Sequence, residues 1–87
     1  MDISSILYFY TKDCEMCKQF ESVLKKFEEK NEGEVTRVNV EENEDTKALF
    51  EELAEDSCPG VPFLYNQENS RHICGFVELS EVEKILS

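Results

Sequence analysis

Two cysteines one helical turn apart, set where an apolar run gives way to a helical pattern, constrain this chain more than any other feature. Ile6-Leu7-Tyr8-Phe9-Tyr10 is continuous and apolar and reads as a buried strand. Further on, Phe20, Val23, Leu24 and Phe27 recur at helical spacing. Asp13-Cys14-Glu15-Met16-Cys17 lies between the two. Helix positions three apart share a face, with β-carbons about 5–6 Å apart. A disulfide needs α-carbons roughly 4.4–6.8 Å apart, so this pair can close with little backbone movement. The same junction puts both thiols at a helix N-terminus, where unpaired N–H groups and the helix dipole favour an anion. A thiolate is such an anion, and it is the reactive form of cysteine. Dithiol–disulfide chemistry is therefore the first expectation.

The totals narrow the class. Eighty-seven residues fit one domain, 1–87, and 40% hydrophobic residues supply a modest core. Met1-Asp2-Ile3-Ser4-Ser5 has neither the basic start nor the apolar stretch of a signal peptide, and no run approaches the roughly 20 apolar residues of a membrane span. A cytoplasmic protein is expected, and there a Cys-x-x-Cys beside a βαβ pattern reads as redox and not as a staple. With 20 acidic against 9 basic residues the net charge is −11, which argues against nucleic acid and anionic membrane as partners. A solvated acidic surface and a monomer are expected.

In chain order, Ile3 to Tyr10 is the first strand, and Asp13 or Thr11 is expected to cap a helix from about Cys14 to Asn31. Glu21, Lys25, Glu28 and Glu29 make its exposed face, with Glu21 and Lys25 a favourable i,i+4 pair. Gly33 suits a left-handed C-cap. Glu34 to Val40 alternates as a strand, with Thr36, Val38 and Val40 on one side. A second helix follows the acidic turn at Glu41–Asp45, has Ala48, Leu49, Phe50 and Leu53 as its apolar face, and ends near Asp56. Phe63-Leu64-Tyr65 is a short strand, Asn66 to Ser70 a polar hairpin loop, and Arg71 to Cys74 the returning strand. Ser80 to Glu83 reads as a capping box, with Leu79 as a staple, for a last helix carrying Val82, Ile85 and Leu86. The order is β-α-β-α-β-β-α, an α/β fold with a four-stranded mixed sheet and three helices. The helix-linked strands should be parallel, and the last strand antiparallel to the rest.

Three motifs then coincide: Cys14-x-x-Cys17 after the first strand, Gly60-Val61-Pro62 before the third, and Cys74-Gly75-Phe76 before the last helix. Together they resemble the thioredoxin superfamily over essentially the whole chain. The short start and the lead-in Phe9-Tyr10-Thr11-Lys12-Asp13-Cys14 resemble glutaredoxins. Val38 to Asn43 and Gly60-Val61-Pro62 look more like thioredoxin itself. The resemblance implies a minimal thioredoxin fold, with Cys14 as the exposed nucleophile and Cys17 as the resolving thiol. It implies a cis Val61–Pro62 peptide packed against the pair, and a groove in which Val61 offers backbone groups to an extended substrate. It also implies that Lys12, Val61, Pro62, Gly75 and Phe76 bind substrate. This chain departs from the pattern in several places. Glu15-Met16 separates the cysteines, no Trp precedes them, and the buried acid of thioredoxin's second strand has no counterpart. Cys74 replaces the first Gly of the glutaredoxin Gly-Gly turn, and Glu78 stands near its acidic position.

The expected activity is exchange with disulfide-containing proteins. No cofactor or metal is expected, and either a reductase or glutathione serves as electron donor. A non-catalytic peptide-binding or metal-holding module is the alternative. Cys58 and Cys74 leave several readings open. Each alone is a small, partly buried residue. In the fold that the resemblance implies, the cis-Pro loop and the Gly75 turn approach the Cys14–Cys17 pair; with all four thiols on one face, Cys58 or Cys74 would instead form a secondary disulfide or help hold zinc or an iron–sulfur cluster. His72 reads as a surface or packing residue.

Overall fold

The computed structural model describes residues 3–55 and 57–86. A 3-10 turn (Ile3–Ser5) leads into β1 (Ile6–Tyr10), α1 (Glu15–Asn31), β2 (Thr36–Asn39), α2 (Glu44–Ala54), β3 (Phe63–Asn66), β4 (His72–Cys74) and α3 (Leu79–Leu86). The expected order of strands and helices is the order observed. The strand foreseen from Ile3 starts only at Ile6, because the polar Ser4-Ser5 interrupts the apolar run. Ile3 is instead tucked against the core at 2% exposure.

β1 is buried on both faces, as its unbroken apolar run requires. Ile6 and Tyr8 join a core made with Phe20, Leu24 and Phe27 of α1 and Val82 and Leu86 of α3. Leu7 and Phe9 face the other way, onto Phe50 and Ala54 of α2. Each such side chain contributes roughly 1.5–3 kcal/mol on burial.

The sheet order is β2-β1-β3-β4. β2 runs parallel to β1, with Phe9 opposite Val38. β3 runs antiparallel to β1, with Phe9 opposite Phe63. β4 runs antiparallel to β3, with Phe63 opposite Cys74. This corrects the expectation that the last strand opposes the rest: β3 is the reversed strand, and β4 runs with β1 and β2. The connection from Glu55 to Pro62 is long enough to bring the chain back to the end of the sheet where β1 stops. A tight helix-to-strand loop would have started β3 at the opposite end. The end of β1, the start of β3 and the end of β4 consequently meet at one edge.

The helix ends depart from expectation in detail. Neither Thr11 nor Asp13 caps α1; Cys14 itself does, in extended conformation. The left-handed C-cap is Glu32 (φ 52°), not Gly33. Gly33 is needed for space, since a β-carbon there would sit 2.9 Å from the Ile3 side chain. α2 is capped by Asn43, whose side chain accepts from the Thr46 amide at 2.9 Å. It ends at Ala54, and its expected terminus at Asp56 lies outside the described residues. Ala48 is exposed, because the buried stripe of α2 runs through Phe50 and Ala54. α3 starts at Leu79, so Ser80 lies within its first turn and no Ser80–Glu83 box caps it. The Glu78 carbonyl accepts from the amides of Glu81 (3.0 Å) and Val82 (3.1 Å) instead.

Candidate dithiol site

Cys14 and Cys17 are joined in a disulfide, with α-carbons 5.1 Å apart. Their environments differ. Cys14 is half-buried at the mouth of the site, whereas Cys17 is only 4% exposed and packs in the α1–α3 core. As N-cap, Cys14 accepts through Sγ from the Cys17 amide at 3.0 Å. One of the unpaired N–H groups of α1 thus points at the sulfur that would carry negative charge on reduction. Tyr8 fixes the turn from below, its hydroxyl donating to the Cys17 carbonyl at 2.9 Å. Burial, reinforced by the Glu21 charge, holds the Tyr8 phenol above its ordinary range, so it stays a neutral donor. The charges beside the pair are partly matched: Lys18 reaches Glu15 at 3.4 Å, both side chains largely in solvent.

The other residues singled out by resemblance lie at the same edge. Val61–Pro62 is cis, and the Pro62 carbonyl accepts from the Gly75 amide at 2.9 Å. Gly75 has φ +91°, a conformation that disfavours any side chain. Phe76 is 42% exposed, with its ring 5.4 Å from Phe20 of α1. Lys12 is exposed and lines a cavity of about 260 Å³ with Tyr8, Tyr10, Cys17, Lys18 and Glu21.

Cys58 and Cys74 are bonded to each other, with α-carbons 5.5 Å apart. Cys58 is buried against the α2 core, across the sheet from Cys17, and Cys74 is exposed on the edge strand. The single four-thiol face considered from the sequence is thereby replaced by two separate bridges. Among the described residues no group of three or more His, Cys, Asp or Glu is placed to hold a metal ion. His72 is exposed, its ring 5.8 Å from that of Phe63.

Three features beside the site were not read from the sequence. Met16, between the cysteines, is 48% exposed, and with Phe76 it makes up the large hydrophobic side chains left exposed among the described residues. Helical phase did not signal this, since Met16 lies four residues before Phe20 on the same stripe; it is exposed in the first turn of α1, beyond the end of the core. Tyr8 was read only as core, although a buried hydroxyl needs a partner. Arg37 carried no local signal. From β2 it binds both Glu21 and Glu28 of α1, which correct the expected Glu21–Lys25 pair and exposed face. Burial disfavours the charge on Arg37, but its bonds to the two carboxylates outweigh this and hold it more firmly protonated than usual.

Among solved structures, a thioredoxin-like protein, BC3987, in a mutant form, is similar with a TM-score of 0.63 and 16% identity, over 94% of each chain. At that identity the likeness establishes the fold, a minimal thioredoxin architecture. No protein of curated function matches significantly in sequence. With a Cys-x-x-Cys bridge capping α1 of a thioredoxin fold, and the model of the glutaredoxin-like domain (DUF836) matching residues 6–87, the chain belongs to that glutaredoxin-like family of the thioredoxin superfamily.

Proposed function

We propose that the chain is a thiol–disulfide oxidoreductase that exchanges electrons with protein disulfides through Cys14 and Cys17. The observation that supports this best is the position of Cys14, half-buried at the N-cap with the Cys17 amide 3.0 Å from its sulfur. In the reduced pair that amide and the helix dipole favour the Cys14 thiolate. The thiolate attacks a substrate disulfide, and one substrate sulfur leaves as a thiolate that takes a proton from solvent. Cys17 then loses its proton and attacks Cys14, closing the bridge and releasing the second substrate thiol. Two electrons pass from the pair to the substrate. Met16, Val61, Pro62, Gly75 and Phe76 form the wall against which an extended substrate segment docks as a transient strand.

A disulfide reductase or glutathione returns the electrons. Lys12 and the cavity beside Cys17 are the features that would receive a small anionic thiol. Among the described residues no helix is long and apolar enough to cross a membrane. We place the protein in the cytoplasm as a monomer, with the net charge of −11 disfavouring nucleic acid and anionic lipid.

Insulin reduction by dithiothreitol tests the reading. Wild type should accelerate precipitation, and Cys14→Ser should fall to background. Cys17→Ser should still attack but accumulate a mixed disulfide visible by mass. A wild type no faster than Cys14→Ser would leave the second reading, a peptide-binding module, which the exposed Met16 and Phe76 favour.

A further inference from the structure

Cys58 and Cys74 take no part in the exchange described above, yet they are bonded at the same edge of the sheet. Their bridge encloses the Val61–Pro62 peptide, the whole of β3 and the β3–β4 turn. One end holds the segment before Pro62, and the other holds the strand that leads into Gly75 and Phe76. Outside the ladder these walls are also tied by the Gly75–Pro62 hydrogen bond, 2.9 Å long. The two ends of the bridge differ in access. Cys58 is 4% exposed among Phe9, Phe50, Ala54 and Phe63, whereas Cys74 is exposed on the outermost strand. Cys17 belongs to the core on the other face of the sheet, so the two bridges are distinct centres.

We propose that Cys58–Cys74 is a second, reversibly reducible thiol–disulfide centre, opened at its Cys74 end by a dithiol reductant, which clasps the two walls around Pro62. What the walls enclose rests on the preceding reading; the second centre does not. A reductant thiolate attacks the exposed Cys74 sulfur, forming a mixed disulfide, and Cys58 leaves as a thiolate that takes a proton from solvent. The second thiol of the reductant then displaces Cys74, which leaves with a proton. The reductant departs as its cyclic disulfide, and two electrons and two protons have entered the protein. With the clasp open, the 58–62 segment is held by the apolar seat of Cys58 and by the Gly75–Pro62 bond, and it opens locally more often. In a reducing compartment, a bridge of this kind is transient and reports redox state.

The test uses the Cys14→Ser/Cys17→Ser variant, in which only the second bridge can titrate. Alkylation mapped by mass across a dithiothreitol redox series should show two thiols appearing in one reversible step. In the reduced protein Cys74 should be alkylated before Cys58. Amide exchange in residues 58–64 and 74–77 should rise about tenfold on reduction while α1 is unchanged. A bridge that stays closed in excess dithiothreitol, or opens only with global unfolding, would overturn the proposal, as would reduction without faster exchange. Failure of insulin reduction in the wild type would remove the oxidoreductase reading and leave this result standing.

Discussion

Cys14 has two roles at the scale of a single residue. It ends the loop after β1 in extended conformation and, through its sulfur, satisfies a helix N–H. Serine, threonine or aspartate usually fills such a position, which is why Thr11 and Asp13 looked like caps in the sequence. A cysteine in the cap places the site's own sulfur at the positive end of α1. Asn66 is the corresponding residue at the other end of the sheet. It is 1% exposed, donates to the Leu86 carbonyl at 2.9 Å and accepts from the Glu68 amide at 3.0 Å. It looked like a loop residue because nothing local marks a polar side chain that a distant helix will cover. Asn66→Ala should leave the Leu86 carbonyl with the longer Asn69 hydrogen bond, 3.5 Å, and take the acceptor from the Glu68 amide, and it should cost about 1–3 kcal/mol, read as a lower urea midpoint. A loss within error would mean that solvent replaces both bonds.

At the scale of elements, α1 is held to β2 by charge as well as by apolar packing. Glu28 accepts from Arg37 at 3.0 Å and from the Val35 amide at 2.8 Å. Burial would raise the Glu28 carboxyl, but the Arg37 hydrogen bonds, the Val35 amide and the nearby positive charges outweigh it and hold the group below the usual carboxylate range. A carboxyl depressed on folding stabilises the protein fully above its unfolded value, about 4.5, and the gain is lost as pH falls through the folded value. Wild-type stability should therefore drop as pH falls below about 4.5, and Glu28→Gln should flatten that slope. The same substitution should cost about 1–3 kcal/mol at neutral pH, where it leaves Arg37 with one fewer carboxylate. Urea titrations of both proteins across that range check it, and parallel curves would remove Glu28 as the source. The helical phase of α1 was readable from Phe20, Leu24 and Phe27. The partner of its charged flank was not, because Arg37 arrives from another element.

At the scale of the whole molecule, the direction of β3 decides whether a site exists. Reversed against β1, it starts beside Cys14 and brings Pro62 and Gly75 there together. The Cys58–Cys74 bridge spans 16 residues of sequence, and a loop of that length restricts the unfolded chain by about 3 kcal/mol. Cys58→Ala/Cys74→Ala should lower unfolding free energy by roughly 2–3 kcal/mol, measured in urea without reductant. An unchanged midpoint would mean that no bridge forms in solution.

Short-range physics was enough to read the apolar run of β1, the stripe of α1, the order of elements and the Cys14-x-x-Cys17 pair. Each of these rests on neighbours within a turn or two of chain, and periodicity and spacing record such neighbours. The pairing of Cys58 with Cys74, the Arg37 clasp on Glu21 and Glu28, the burial of Asn66 and the reversal of β3 were decided only when the chain closed on itself. They depend on residues brought together by layer packing and by the long return from Glu55 to Pro62, and no local pattern carries that information.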